Sequence, residues 1–344
     1  MVTDVELSMA GQMNSDCLQL SVVVIGRNEG SRLLTCLESV EKLRLSGFRT
    51  EVIYVDSAST DGSSSLAQSK GARLVELREG PFTAARARNA GWRIAQAPFI
   101  LFLDGDTILQ EGFVLCALAH FDDPSIAVVW GHRREVNPTG SIYNRVLDLD
   151  WVSPTGFTKV CGGDALIRRA ALAEVGGYDA SLIAGEEPEL CQRLAKRNYR
   201  ILHIDRLMTL HDLAIMEFSQ YWKRSIRTGY AFAEVSSRGL PQEFWKKESR
   251  YNLRRSAMYG TFFAVGLVAS FSFQSVFPLL LCFAAFLAIC LRTGLRRPLR
   301  SPSILTCLLF GIHSHVQHLP ICLGQLSFFL FHRTDQPRQL IEYK

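Results

Sequence analysis

Five apolar residues, Phe99 to Leu103, run straight into Asp104-Gly105-Asp106, with Pro98 in front and Thr107 behind. A short apolar run bounded by Pro and Gly reads as a buried strand, which puts both carboxylates at its carboxyl end. Open α/β sheets take their ligands at that edge. Neighbouring strand positions point to opposite faces, so a turn at Gly105 is required to bring the two acids to one place, where they repel each other. A hard divalent cation, Mg2+ or Mn2+, justifies such a pair, because these ions prefer oxygen ligands and are held by one or two carboxylates together with substrate phosphates. An Asp-Gly turn that only closes a strand fits the tripeptide equally well.

The surrounding chain favours the first reading. Leu20 to Ile25 is a buried strand followed by Arg27-Asn28-Glu29, and Val52 to Val55 is another, ending in the small, polar, turn-forming loop Asp56-Ser57-Ala58-Ser59-Thr60-Asp61-Gly62. Helical patterns follow each strand, and Arg73 to Leu77 gives a further strand before the helix Thr83 to Ala95. Strands alternating with helices at these spacings mean crossover units and a parallel sheet. Three polar loops then share one edge: Arg27, Asn28 and Glu29; Asp56 and Ser57; Asp104 and Asp106. That edge describes a nucleotide site. There is no GxGxxG and no GxxxxGK[ST], so a dinucleotide fold and a P-loop lose support, and phosphates have to be neutralised by metal and Arg.

Block by block, VVVIGRNE, YVDSASTDGS, ARNAG and FLDGDT resemble the nucleotide-binding half of the family 2 glycosyltransferases of the GT-A fold. The likeness continues through GGDALIRRAALAEVGGYD, GEEPELCQRL and NYRILHI, and covers roughly Leu20 to Thr228. It implies an α/β, Rossmann-like GT-A domain with a mostly parallel sheet and flanking helices, and a nucleotide-sugar as donor. Under this resemblance Glu29 and Asp56 contact the base and ribose, and Arg88 lies near the pyrophosphate. Asp104 and Asp106 form the pair that holds metal and sugar-diphosphate, with Gly105 between them, and His211 in LMTLHD matches an additional metal ligand. The acceptor-side acids are Glu186 and Glu187, with Glu187 as general base. Ser57 stands where many relatives carry a second acid, so base recognition leans on main-chain groups.

Glu186 and Glu187 precede Pro188, which suits the first turn of a helix, and a helix N-terminus favours ionised carboxylates. This predicts a ready base. At Gln220-Tyr221-Trp222-Lys223-Arg224 the Trp precedes the Arg, so the QxxRW block of processive synthases is matched poorly. Phe218 to Phe232 reads instead as an amphipathic helix, with Lys223, Arg224 and Arg227 available to phosphate or lipid headgroups.

Apolar residues concentrate late in the chain. Ser256 to Leu291 holds no Asp, Glu, Lys or Arg, more than the about 20 residues one membrane span needs. Phe271 to Ser275 and Pro278 break it into an expected helical hairpin. Arg250, Arg254 and Arg255 precede the run and Arg292, Arg296, Arg297 and Arg300 follow it, which puts both flanks on the cytoplasmic side. Ile304 to Phe331 is interrupted by His313, His315, Gln317, His318, Pro320 and Gln325, so a re-entrant or surface-lying segment is expected there. The formal charge is only +5, and its basic excess lies beside these stretches, which favours a membrane surface over nucleic acid as partner. Nine scattered cysteines without a CxxC pair fit reduced thiols in the cytosol.

The sequence thus predicts a polar tail over residues 1–19 without a signal core, a GT-A domain over 20–240 and a membrane-associated helical region over 241–344. The expected activity is metal-dependent, inverting transfer of a sugar to a hydroxyl of a polysaccharide or lipid-linked acceptor, with the catalytic domain on the cytoplasmic face. A polyprenyl-phosphate sugar synthase is the alternative within the class. A nucleotidyltransferase and a non-catalytic membrane adaptor are the alternatives outside it.

Overall fold

The computed structural model describes residues 19–240, 243–296 and 303–332. The expected tail over 1–18, Arg297, Arg300 and the tail after His332 lie outside the described residues. In chain order the elements are β1 (Leu20–Gly26), α1 (Ser31–Leu45), β2 (Thr50–Asp56), α2 (Ser63–Ser69), β3 (Arg73–Glu76), α3 (Ala84–Ile94), β4 (Phe99–Asp104), β5 (Thr107–Leu109), α4 (Phe113–Leu118), β6 (Ile126–Glu135) and α5 (Ile142–Asp150). There follow β7 (Gly156–Thr158), β8 (Ala165–Arg168), α6 (Arg169–Glu174), α7 (Glu186–Lys196), β9 (Arg200–His211), α8 (Phe218–Ser236), α9 (Lys246–Ser272), α10 (Phe277–Leu295), α11 (Ile304–Val316) and α12 (His318–His332).

One sheet organises the first part, in the order β3-β2-β1-β4-β8-β6-β9-β5, with β7 paired to β9. The four strands β3, β2, β1 and β4 are mutually parallel. Beyond β4 the sheet turns mixed, since β8 runs antiparallel to both β4 and β6 while β6 and β9 are parallel. Alternate residues of β1 feed opposite faces, as a strand period of two demands. Val22 and Val24 join a core with Leu33, Leu37 and Leu101, whereas Val23 and Ile25 join one with Ile53, Ala87 and Phe102. Each of these aliphatic side chains is worth about 1.5–3 kcal/mol when fully buried, so the sheet is the rigid part that fixes the loops at its edge.

Register sets those loops level: Gly26 pairs with Asp56 and Ile25 with Asp104. On α3, a Cβ at Gly91 would collide with Val23, so this glycine lets the helix lie close on the sheet. Thr83 caps α3 by accepting from the Arg86 amide at 3.3 Å. Arg88, one turn before Gly91, is thereby held over the carboxyl edge.

The expected hairpin is present as α9 and α10, joined at Phe273–Val276. Their outer faces are apolar and open: Val265, Leu267, Val268 and Phe271 on α9, and Phe277, Leu280, Leu281 and Leu287 on α10, are all half or more exposed. Residues 304–331, expected as a re-entrant or surface-lying segment, are helical almost throughout. They form two helices meeting at Gln317, packed on the rest of the chain. The three histidines of this run turn inward and are paired. His315 bonds to the Tyr259 hydroxyl (2.6 Å) and the Thr293 hydroxyl (2.7 Å), and His318 to Asn252 Oδ1 (2.8 Å). Buried polar groups are tolerated when satisfied in this way. Two glycine crossings bring helices into backbone contact: Gly229 of α8 lies on the Ile321 backbone of α12 and Gly324 of α12 on the Ile226 backbone of α8, while Gly294 of α10 meets Gly311 of α11.

Candidate active site

A cavity of about 440 Å3 opens at the carboxyl edge, lined among others by Arg27, Ser57, Asp104, Asp106, Glu187 and His211. Gly105 does not adopt a left-handed conformation; what it supplies is room. A Cβ there would lie 3.0 Å from Glu29 Cγ and 3.2 Å from the Ile25 carbonyl oxygen, while its amide donates to that carbonyl at 2.8 Å.

Two elements distant in sequence meet beside Asp106. β5 and β9 pair antiparallel with Thr107 opposite His211, and the Asp212 amide donates to the Asp106 carbonyl at 3.0 Å. The pairing leaves His211 Nε2 3.2 Å from Asp106 Oδ2. Ligand atoms of Asp104, Asp106 and His211 all lie within 4.8 Å of one another. His211 Nδ1 is buried without a hydrogen-bond partner, and two carboxylate oxygens with one imidazole nitrogen suit a divalent ion of the manganese type. The residues present therefore fit a metal.

Arg88 sits at the centre of the acids. Its guanidinium, only 2% exposed, contacts Asp104 at 2.9 Å, Glu186 at 2.8 Å and Glu187 at 2.9 Å. Burying a cation is tolerable only with such partners, and the surrounding carboxylates hold it firmly charged against the effect of burial. The resemblance put Arg88 near the pyrophosphate; the geometry makes it the tie between the strand-end acids and those of α7. Gly163 keeps this centre open, since a Cβ would stand 2.6 Å from Arg88 Nη2, 3.1 Å from Glu187 Oε1 and 3.2 Å from Asp104 Oδ2.

Glu187 differs from the expectation of an already ionised acid. Burial, followed by the neighbouring Glu186 carboxylate, pushes it up to about 7, against the pull of Arg88. Helix N-terminal partial charge is too small to offset that burial. Glu186 is the more enclosed of the two, with its side chain 5% exposed against 16% for Glu187.

The remaining residues named from sequence lie at the carboxyl ends of β1 and β2. The Asn28 amide donates to Ser59 Oγ (2.9 Å) and its Oδ1 accepts from the Thr60 amide (2.8 Å), tying the first two edge loops together. Glu29 pairs with Arg32 at 3.0 Å. Arg27 stacks over Phe82 at 5.3 Å from the ring centroid. Asp56 is buried and accepts from the Ser59 amide (2.8 Å) and the Tyr54 hydroxyl (3.2 Å), so Ser57 rather than Asp56 lines the cavity. Gln220 caps α8, its Oε1 accepting from the Met216 and Glu217 amides, which gives the poorly matched block a local structural purpose.

Sequence reasoning missed Asp164, Arg133 and Trp151. Asp164 accepts from the Asp104 amide (3.1 Å) and the Thr209 hydroxyl (2.7 Å), and lies 2.9 Å from Arg133. Arg133 lies over Trp151 at 5.5 Å, and Trp151 stacks on His211 at 5.3 Å. Asp164 stands inside the block GGDALIRR, where its signal was present without a partner to interpret it. Five site carboxylates (Asp104, Asp106, Asp164, Glu186, Glu187) face two guanidiniums (Arg88, Arg133), and a divalent ion would offset two of the three excess charges.

A sheet of this order with an acidic pair at the end of its central strand and a histidine returned beside it is the GT-A arrangement. The model for glycosyl transferase family group 2 matches residues 99–311, more than half of the chain, and that for glycosyl transferase family 2 matches residues 21–176. The chain belongs to the family 2 glycosyltransferases. It is 30% identical over 210 residues to a pre-mycofactocin glycosyltransferase of Mycobacterium tuberculosis, covering 56% of this chain and 42% of that protein; it thus spans about two fifths of that relative's length. Glycosyltransferase AglE of Haloferax volcanii is 21% identical over 237 residues, 65% of this chain and 76% of that one. Among solved structures, mannosyltransferase PcManGT from Pyrobaculum calidifontis, in complex with GDP-Man and Mn2+, superposes with a TM-score of 0.63 at 19% identity over 92% of this chain and 88% of that one. Glucosyl-3-phosphoglycerate synthase from Mycobacterium tuberculosis, in complex with Mn2+, UDP and its product, gives 0.50 at 20% identity over 69% and 84%.

Proposed function

We propose that the chain moves a sugar, with inversion, from a nucleotide-diphosphate-sugar to a hydroxyl of a polysaccharide or lipid-linked acceptor at the cytoplasmic face of a membrane. The observation that carries this reading is that one buried guanidinium, Arg88, holds Asp104 and Glu187 on the same cavity wall. A metal site and a candidate base thereby face one reacting centre.

Asp104, Asp106 and His211 would hold a divalent ion, which when bound would supply Lewis-acid stabilisation for a departing diphosphate. The imidazole in that set favours manganese over magnesium. Arg27, Asn28, Glu29 and Ser57 form the donor-side wall, with buried Asp56 holding the second loop through the Ser59 amide and main-chain groups of the two joined loops reading the base. Glu187 accepts the acceptor hydroxyl proton as that oxygen attacks the anomeric carbon. A base titrating near 7 suits this task, because it is ionised often enough to accept a proton and basic enough to want one. Glu186 stays locked on Arg88 and orients it. A single displacement needs no second carboxylate as nucleophile, which is why one base suffices for inversion.

The membrane part rests on the open apolar faces of α9 and α10, where large apolar side chains stand exposed side by side as at an interaction or membrane surface. Phe277–Leu295 and Ile304–Phe331 are the two described helical stretches long and apolar enough to cross. Lys223 and Arg224 on α8, with Arg227 at the cavity, suit phosphate or lipid headgroups beside them.

The test is incubation of the full chain with a panel of UDP- and GDP-sugars, Mn2+ and a membrane extract as acceptor. Release of nucleoside diphosphate with sugar on a glycan or lipid supports the reading. With pyrophosphate added, formation of nucleoside triphosphate and sugar 1-phosphate would make the chain a nucleotidyltransferase, and no turnover of any donor would favour the adaptor.

A further inference from the structure

The membrane-side helix α11 reaches the metal site through a short line of contacts. His313 of α11 is 3% exposed and donates from Nε2 to Asp150 Oδ2 at 2.8 Å, while its Nδ1 accepts from the Tyr221 hydroxyl at 2.9 Å. One neutral tautomer satisfies both bonds at once. Asp150 is the last residue of α5, and the next residue, Trp151, stacks on the candidate ligand His211 at 28° between ring planes. Trp151 also lies beneath Arg133, which is bonded to Asp164.

Packing supports the same line. Val146, Leu147 and Leu149 of α5, Leu213 and Ile215 just after His211, Tyr221 of α8 and Phe310 of α11 form one buried cluster. Phe310 and His313 are three residues apart and so share one face of α11. Deleting a partner from such a cluster moves its neighbours, because packed interiors have no slack to absorb the change.

We infer that His313 is a positioning residue for the metal site: through Asp150 and Trp151 it fixes the ring of His211, so that full metal affinity requires α11 to be seated on α5. Metal ligands are commonly oriented by outer partners whose loss weakens binding about 10- to 100-fold. His313 acts one step further out, so the loss belongs at the lower end of that range. This inference rests on the reading of Asp104, Asp106 and His211 as metal ligands, and the experiment separates the two.

The full chain in detergent micelles is titrated with Mn2+ alone, and free ion is read by electron paramagnetic resonance. Wild type, Asp106→Asn, His313→Ala, Asp150→Ala, the His313→Ala/Asp150→Ala double variant and His313→Gln are compared. His313→Ala and Asp150→Ala should each weaken Mn2+ binding about tenfold, and the double variant no further, since both cut one connection. His313→Gln keeps a donor for Asp150 and an acceptor for Tyr221, and should recover to within about twofold of wild type. Asp150 lies at the cluster's rim, 32% exposed, so its variant reads the connection even if His313→Ala fails to fold. Wild-type affinity in His313→Ala and Asp150→Ala overturns the inference alone. Losses that multiply in the double variant overturn it too, because the residues would then act separately. Wild-type binding no tighter than that of Asp106→Asn removes the metal reading itself, and the inference with it.

Discussion

Replacing Glu187 with Gln keeps the shape and hydrogen-bonding reach of the side chain but removes its proton affinity. The carboxyl titrates at about 7 rather than its ordinary 4.5 because it is buried beside Glu186. At about 1.4 kcal/mol per pH unit, that difference is worth at most about 3 kcal/mol. The folded state holds the proton more tightly than the unfolded state, so this contribution is fully present below pH 4.5 and lost as pH rises through about 7. Glu187→Gln does not undergo this loss. Relative to wild type, the variant should therefore gain up to about 3 kcal/mol between pH 4.5 and pH 8.5, read as a difference in thermal unfolding that opens with pH, with chelator present throughout. On the kinetic side, kcat should fall at least about 10²-fold with donor affinity little changed, the mark of an interaction made mainly in the transition state. Parallel stability curves at both pH values would refute the raised carboxyl. Near-normal turnover on an authentic acceptor would refute the base and leave a phosphate-acceptor enzyme as the better account.

Other outcomes follow from the same geometry. Glu186→Gln should be milder in kcat than Glu187→Gln, since the Glu186 side chain is 5% exposed against 16% for Glu187 and so less open to an acceptor; the reverse order in steady-state assays would shift the base by one residue. The wild-type rate should rise with pH through about 7 as Glu187 loses its proton, and Glu187→Gln should flatten that limb; an unchanged limb assigns it to another group. Gly163→Ala puts a methyl 2.6 Å from Arg88 Nη2 and should cut turnover at least tenfold while the fold persists by circular dichroism; wild-type kinetics would mean that the acids tolerate displacement. Gly324→Val forces side-chain atoms into the Ile226 carbonyl of α8 and should cost about 1–3 kcal/mol, as overpacking does, checked by thermal unfolding; an unaltered midpoint would disprove the tight crossing.

Much of the fold was legible because its signals are local. Alternating strands and helices, the polar loops after β1, β2 and β4, and the break at Phe271–Ser275 each sit within a few residues. The acidic pair was legible for the same reason, and His211 only because a family pattern stood in for its 105-residue separation from Asp106. What stayed hidden depends on long-range pairing. That Arg88 ties Asp104 to Glu186 and Glu187 shows only once α7 is in place. Asp164 and Arg133 are an unremarkable acid and base until β6, β8 and β9 are assembled. The polar residues of 304–331 looked like interruptions because their partners, Tyr221, Asp150, Asn252 and Tyr259, lie on other helices. Glu187 showed where local rules mislead: its helix N-terminus argues for ionisation, and burial, a property of the whole fold, outweighs it.

The most direct measurement is nucleoside diphosphate release from the preferred donor by wild type and by Asp106→Asn, each with Mn2+ and after chelation. A metal-dependent transferase built on Asp104, Asp106 and His211 predicts Mn2+-supported turnover in wild type, lost on chelation and recovered on adding the ion back, and no turnover in a folded Asp106→Asn at any metal concentration. Turnover that survives both chelation and the substitution would contradict the account at its centre.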